Sequence, residues 1–254
     1  MTVVGLLHPG EMGAAVGGAL REHGATVLWA SAGRNRETAR RAEGAGLEDA
    51  GDVATLGSRC EILLSICPPH AAVEVARTAA GFAGIYVDAN AIAPATARTI
   101  ASLQPRFVDG GIVGPPPSHP GTTRLYLSGV EAGQIAALFA GTNVDARVVS
   151  GEPGAASALK AAYAGWTKGS AALLLTVREL ARAEGVEEAL LEEWGLALPE
   201  LEKRLVGAER SARRKGWRWI GEMEEIARSM AARDLPTGFH EAAADAFRRA
   251  AAES

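Results

Sequence analysis

The chain of 254 residues has only two cysteines, Cys60 and Cys67. Two are too few for a disulfide framework or a zinc site, and no metal is expected. Lysine is scarce as well, confined to positions 160, 168, 203 and 215 among abundant arginine. A lysine in apolar surroundings therefore stands out. No apolar run reaches the roughly 18 to 20 residues of a membrane span. No basic stretch leads into a long apolar core at the N-terminus. A soluble cytoplasmic protein without membrane contact is expected. A basic balance is also missing, since the net charge is -4 and the pI about 5.8. That argues against a nucleic-acid partner. The one basic-aromatic stretch, "RSARRKGWRW" (210–219), reads as a solvated helix end. What is present is a 48% hydrophobic composition, enough to bury the core of one large domain or two modest ones.

The first half alternates β-like runs with helical patterns. Residues 2–7, "ATVLWA" (25–30), "CEILLSIC" (60–67) and "GIYVDAN" (84–90) read as strands, as do the shorter "RFVDGGIVG", "TRLYLSG" and "DARVVSG". Helical patterns over 11–23, 34–46 and 71–81 separate the first four of them. Strands alternating with helices imply parallel βαβ units and right-handed crossovers. The predicted fold is α/β, a doubly wound Rossmann-type sheet followed by an all-α domain, with 1–150 as the dinucleotide-binding domain and 151–254 as a helical domain. Residues 154–185 predict one helix of about 30 residues, roughly 45 Å long. It is apolar nearly all round until Arg178 and should be buried on most sides. One small helical domain gives too little cover, so a second copy in a homodimer is expected.

"GLLHPGEMG" (5–13) lies between the first strand and the first helix. A dinucleotide loop needs glycines where the chain turns, where it approaches the pyrophosphate, and where helix meets strand. Gly10 and Gly13 suit the second and third positions, and His8 occupies the first. The end of the second strand selects the cofactor. An acid there would hold a ribose hydroxyl and repel a 2′-phosphate. "ASAGRNR" has none; Ser31, Arg34 and Arg36 offer a hydroxyl and two guanidinium groups suited to phosphate. The expected cofactor is NADP(H).

These residues resemble the β-hydroxyacid dehydrogenase superfamily, which includes 6-phosphogluconate dehydrogenases and, more distantly, imine reductases. "GLLHPGEMG" resembles its opening loop, which implies cofactor contacts for His8, Pro9, Gly10, Glu11, Met12 and Gly13. "SICPP" (65–69) resembles the strand end that lines the cofactor, with Cys67 and Pro68. "VDANAIAP" (87–94) resembles the segment beside the nicotinamide, with Asn90. "VDGGIVG" (108–114) resembles the substrate-binding strand, which implies substrate contacts for Gly111, Val113 and Gly114. "GEPGAASALKAAYAG" (151–165) resembles the segment carrying the catalytic lysine, here Lys160. The resemblance also implies a dimer, and "TRLYLSG" and "LPTGFHEAAADAF" resemble a poorly characterised branch. Two positions depart from the pattern. Val113 stands where the family has a serine for a substrate carboxylate, and Tyr163 and Ala164 replace two asparagines.

Hydride transfer at a carbon bearing oxygen or nitrogen needs a proton donor or acceptor at that heteroatom. Lys160 suits this role in a partly dry pocket, because burial disfavours its charged form. At 100° per residue Lys160, Tyr163, Ala164 and Thr167 share one helix face, so Tyr163 is a second catalytic candidate and Thr167 a substrate contact. Lys168 is expected to reach the surface, and His240 to be a surface or capping residue. The expectation is an NADP(H)-dependent oxidoreductase acting on a small hydroxy or carbonyl compound. Imine reduction is the alternative, and the lost serine and asparagines motivate a second, a non-catalytic NADP(H)-binding protein.

Overall fold

The computed structural model describes residues 2–252. The chain forms two compact units, Met1–Lys160 and Ala161–Ser254. The first contains β1 (Val3–Leu6), α1 (Glu11–Glu22), β2 (Thr26–Trp29), α2 (Arg36–Gly44), β3 (Glu48–Asp49), α3 (Val53–Arg59) and β4 (Ile62–Ser65). It continues with α4 (Ala72–Thr78), β5 (Ile85–Asp88), α5 (Pro94–Leu103), β6 (Phe107–Val113), β7 (Thr123–Ser128), α6 (Ala132–Leu138) and β8 (Val144–Val148). The helix α7 (Ala155–Ala183) runs through the boundary.

These strands make one sheet in the order β3-β2-β1-β4-β5-β6-β7-β8. Every pairing is parallel except β6 with β7. The chain winds outward from β1 to β3, then returns to place β4 on the other side of β1. The switch point of this Rossmann-type sheet therefore lies between the C-terminal ends of β1 and β4, where such sheets open a crevice for ligands. β4 and β5 are buried at every residue, as parallel strands covered on both faces must be. Side chains alternate between two cores. Val4, Leu6, Ile62, Leu64 and Val87 face one, and Leu7, Leu63, Tyr86 and Ile100 the other. Full burial of each such side chain contributes about 1.5 to 3 kcal/mol.

Caps set the helix limits. Asn35 Oδ1 accepts from the Thr38 N–H at 2.8 Å and Asp52 Oδ1 from the Thr55 N–H at 2.7 Å. Pro94 occupies the first turn of α5, where its missing N–H costs nothing. β3, α3, α5 and α6 were not anticipated from the periodicity. They are two to ten residues long, too short for a period to declare itself.

The second unit is helical throughout its described residues: the rest of α7, α8 (Glu187–Ala197), α9 (Glu200–Ala231) and α10 (Gly238–Ala252). Ala164, Ala172, Ala212, Met223, Ile226 and Phe247 form its core, with Trp219 edge-on to Phe247 at 5.1 Å between ring centres. Two expectations fail here. Lys168 is largely enclosed rather than at the surface and is paired with Glu222, its Nζ 5.4 Å from the Trp219 ring centre, and desolvation lowers its pKa. An ammonium this deep needs its carboxylate partner. His240 is buried, with Nε2 3.3 Å from the Gly165 carbonyl oxygen. Within a single chain α7 is not covered all round, in keeping with the small size of the helical domain. Trp166, Leu173 and Leu180, spaced by sevens, are 69%, 64% and 61% exposed. Among the described residues no helix is long and apolar enough to cross a membrane.

Candidate active site

The loop after β1 is shaped by its two glycines. Gly10 is the N-cap of α1 in extended backbone, with no side-chain cap, and donates its own N–H to the His8 carbonyl at 2.9 Å. A Cβ on Gly10 would meet nothing within 4 Å, so the loop is open to a ligand there. A Cβ on Gly13 would collide with the His8 carbonyl oxygen, so Gly13 permits the close approach of helix to strand. Pro9 is buried and Met12 packs on the core. Glu11 is exposed on the first turn of α1, where a carboxylate complements the helix dipole.

The turn after β2 separates the two arginines. The Arg34 N–H donates to the carbonyl of the half-buried Ser31 at 3.0 Å. This brings the Arg34 guanidinium back over β1, with Nη2 3.4 Å from the Leu7 carbonyl oxygen. Its buried Nε has no partner, and neither has the buried Nδ1 of His8. Burial and the neighbouring Arg34 charge push the His8 imidazole down to about 4. Arg36 instead points outward on the first turn of α2.

Asn90 ties together the ends of β4 and β5. Its Nδ2 donates to Asp88 Oδ2 at 2.8 Å and Ser65 Oγ at 3.2 Å, and its Oδ1 accepts the Cys67 N–H at 2.5 Å. The side chain is a strut that fixes the backbone entering Pro68. Burial pushes Cys67 up to about 12, with the Asp88 charge adding to it, so Cys67 is a thiol and not a nucleophile. Asp88 is raised to about 7, first by burial and further by Asp109, against the Asn90 hydrogen bonds that lower it.

Asp109, next along the same edge, holds the start of α7. Its Oδ2 accepts the N–H groups of Gly154 at 2.9 Å and Ser157 at 3.0 Å and the Ser128 hydroxyl at 3.0 Å. Its Oδ1 accepts the Ser157 hydroxyl at 2.5 Å. A buried carboxylate with four donors is a strong helix cap. Two residues on, β6 presents Gly111 to α7. A Cβ there would stand 2.9 Å from Lys160 Cβ and 3.0 Å from the Ala156 carbonyl oxygen. Gly111 thus lets the backbone of β6 lie against the root of the Lys160 side chain.

His8–Gly13, Arg34, Cys67 and Asn90 follow the C-terminal ends of β1, β2, β4 and β5, and Gly111, within β6, lies against the root of Lys160. Val113 is buried and pairs in register with Arg124; Gly114 follows in the left-handed region at φ 120°. Tyr163, half exposed, and Thr167, whose Oγ1 donates to the Tyr163 carbonyl at 2.9 Å, lie farther along α7. The Asp109–Ser157–Ser128 cap was not foreseen, because its partners are 19 to 48 residues from Asp109 and leave no local signature.

A family model described as a domain of unknown function, DUF1932, matches residues 181–250. An uncharacterized 28.5 kDa protein of Methanothermus fervidus is 31% identical over 163 residues. That match covers 63% of this chain and 63% of the relative's length. Among solved structures, a conserved protein of unknown function, reported for its structural similarity with 3-hydroxyacid dehydrogenases, superposes with a TM-score of 0.74. It is 29% identical, with 98% of this chain and 97% of that one covered. The 3-hydroxyisobutyrate dehydrogenase of Mycobacterium tuberculosis with L-serine has a TM-score of 0.72 at 16% identity, covering 100% and 94%. A reductive aminase from Aspergillus terreus in complex with NADPH and ethyl levulinate has a TM-score of 0.63 at 20% identity, covering 100% and 95%. The chain thus shares its fold with solved structures that include a 3-hydroxyisobutyrate dehydrogenase and a reductive aminase, and residues 181–250 match DUF1932.

Proposed function

We propose that the protein is an NADP(H)-dependent oxidoreductase that moves a hydride between the nicotinamide and a small hydroxy or carbonyl compound. The observation that carries this is the seat of Lys160. Asp109 caps the helix that bears it, Gly111 admits its root, and both lie on the sheet edge that also carries the open loop at Gly10. Two unpartnered buried nitrogens, on His8 and Arg34, fit an anionic dinucleotide at that edge. The neighbours bearing NADPH support the same class.

In this account the loop His8–Gly13 and Arg34 bind the dinucleotide, with Asn90 holding Cys67 and Pro68 in the shape of its floor. The dinucleotide, when bound, supplies or accepts the hydride. Lys160 Nζ gives a proton to the substrate oxygen in reduction and takes it back in oxidation, the task that general acid–base catalysis assigns to a positioned amine. Tyr163, one turn along α7, is the second candidate donor, and Thr167, Gly111, Val113 and Gly114 are the substrate contacts.

Val113 favours a second reading, in which the substrate is a C=N compound or an uncharged ketone. Its side chain offers no hydroxyl to a carboxylate, and a buried carboxylate with too few donors is costly. The test is NADPH oxidation with pooled ketones, aldehydes, oxo acids and cyclic imines. Turnover of a carbonyl compound is expected, with a methyl ketone preferred over its matched oxo acid. Binding of NADPH with no turnover of any pool would leave a non-catalytic binding protein.

A further inference from the structure

Unpartnered buried polar atoms are rare in folded proteins and call for an explanation. His8 Nδ1 and Arg34 Nε are two such atoms, and the Arg34 guanidinium reaches the loop after β1 with Nη2 3.4 Å from the carbonyl oxygen of Leu7, the residue before His8. Arg34 is the charged group acting on His8. The Cys67 thiol faces Arg34 from the end of β4 but stays uncharged, being pushed up to about 12. Glu11, the acid closest in sequence, is exposed on α1. The pair is thus a neutral imidazole held beside a guanidinium, with one ring nitrogen and one guanidinium N–H unused.

A phosphate monoester would satisfy both groups. The end of β2 is where sheets of this kind meet the ribose 2′ position, which selects the 2′-phosphate over the pyrophosphate. Its arrival also reverses the local charge. Arg34 alone presents +1 to the imidazole; Arg34 with a dianionic phosphate presents about -1. A positive neighbour disfavours imidazolium and a negative one favours it.

We propose that His8 and Arg34 together seat the 2′-phosphate and that its binding is proton-linked, His8 becoming imidazolium with a proton drawn from solvent. This rests on the NADP(H) reading of the cofactor. By linkage, affinity for NADPH relative to NADH rises as pH falls through the neutral range, until the phosphate itself protonates near its second pKa of about 6.

The test is calorimetric titration at pH 7.2 in two buffers of different ionisation enthalpy, which counts protons taken up per ligand bound. Wild type is expected to take up roughly half a proton or more with NADPH or with 2′,5′-ADP, and none with NADH. His8→Asn is expected to bind NADPH more weakly and lose the uptake. His8→Gln serves if the asparagine variant does not fold. Zero uptake in wild type, or equal uptake in wild type and variant, overturns the proposal while leaving a preference for NADPH intact. Equal affinity for NADPH and NADH overturns the 2′-phosphate reading and this proposal with it.

Discussion

Gly111 and Lys160 meet where β6 crosses α7, with no room between them for a methyl group: a Cβ at residue 111 would lie 2.9 Å from Lys160 Cβ. Because the Ala156 carbonyl is equally close, relief of that clash must move the helix and not only a side chain. Overpacking of this kind costs about 1 to 3 kcal/mol. Gly111→Ala is expected to lower stability by that amount in denaturant melts. Since displacement of a catalytic group by about 1 Å costs on the order of 10² in rate, turnover should fall much further than NADPH affinity. Unchanged stability and turnover would show that the contact is loose.

The parts of the candidate site could be named from the sequence because each is local. The glycine loop and the strand end without an acid each sit within a dozen residues of chain, and Lys160 lies in the first turns of its helix. The Rossmann-type, mostly parallel layout followed from alternation and crossover rules, but the two-residue β3 and the antiparallel β6–β7 pair did not. Distant pairings were not legible. Ser157 gives no sign that it caps its helix with Asp109, 48 residues away. Lys168 reads as a surface lysine until Glu222 and Trp219, on α9, enclose it. Nor did "GRNR" (33–36) reveal that its arginines diverge, since that depends on a turn with Gly33 at φ 74°.

Two buried groups give opposite pH dependences. Asp88, raised to about 7 against an ordinary value near 3.9, binds its proton more tightly folded than unfolded. It therefore favours the folded state at low pH, and that contribution is lost as pH rises from about 4 to 7. His8, lowered to about 4 from an ordinary 6.5, does the reverse: stability is gained as pH rises through the same window. Asp88→Asn removes the first effect alone. Between pH 5 and 8, urea unfolding should show wild type losing stability relative to Asp88→Asn. A constant difference between the two proteins across that range would contradict the assignment.

Arg34 and Arg36 should separate in a cofactor titration. Loss of a charge-assisted phosphate contact is worth about 1.5 to 3 kcal/mol, or roughly 10- to 150-fold in affinity. Arg34→Ala is expected to weaken NADPH by that factor and leave NADH within about twofold. Arg36→Ala, at the exposed position, should have the smaller effect. Equal weakening of both cofactors by Arg34→Ala would assign the guanidinium to holding Leu7, not phosphate.

The stripe of Trp166, Leu173 and Leu180 on α7 supports a homodimer, because a repeat of seven keeps one side of a helix facing a partner. Light scattering at micromolar concentration should give about twice the 26.3 kDa chain mass, and Leu173→Glu should shift the mass toward the monomer. A wild-type monomer at those concentrations would exclude the idea.

The central claim is that Lys160 moves the proton while the rest of the edge holds the cofactor. Lys160→Met preserves the length and apolar stem of the side chain and removes its amine. Once a substrate has been found from the pools, NADPH affinity and turnover are measured on this variant and on wild type. Unchanged folding, NADPH binding within about threefold, and turnover lower by about 10² to 10⁴, the range of a lost general acid or base, are expected. Turnover within threefold of wild type would contradict the claim and make Tyr163 the next residue to remove.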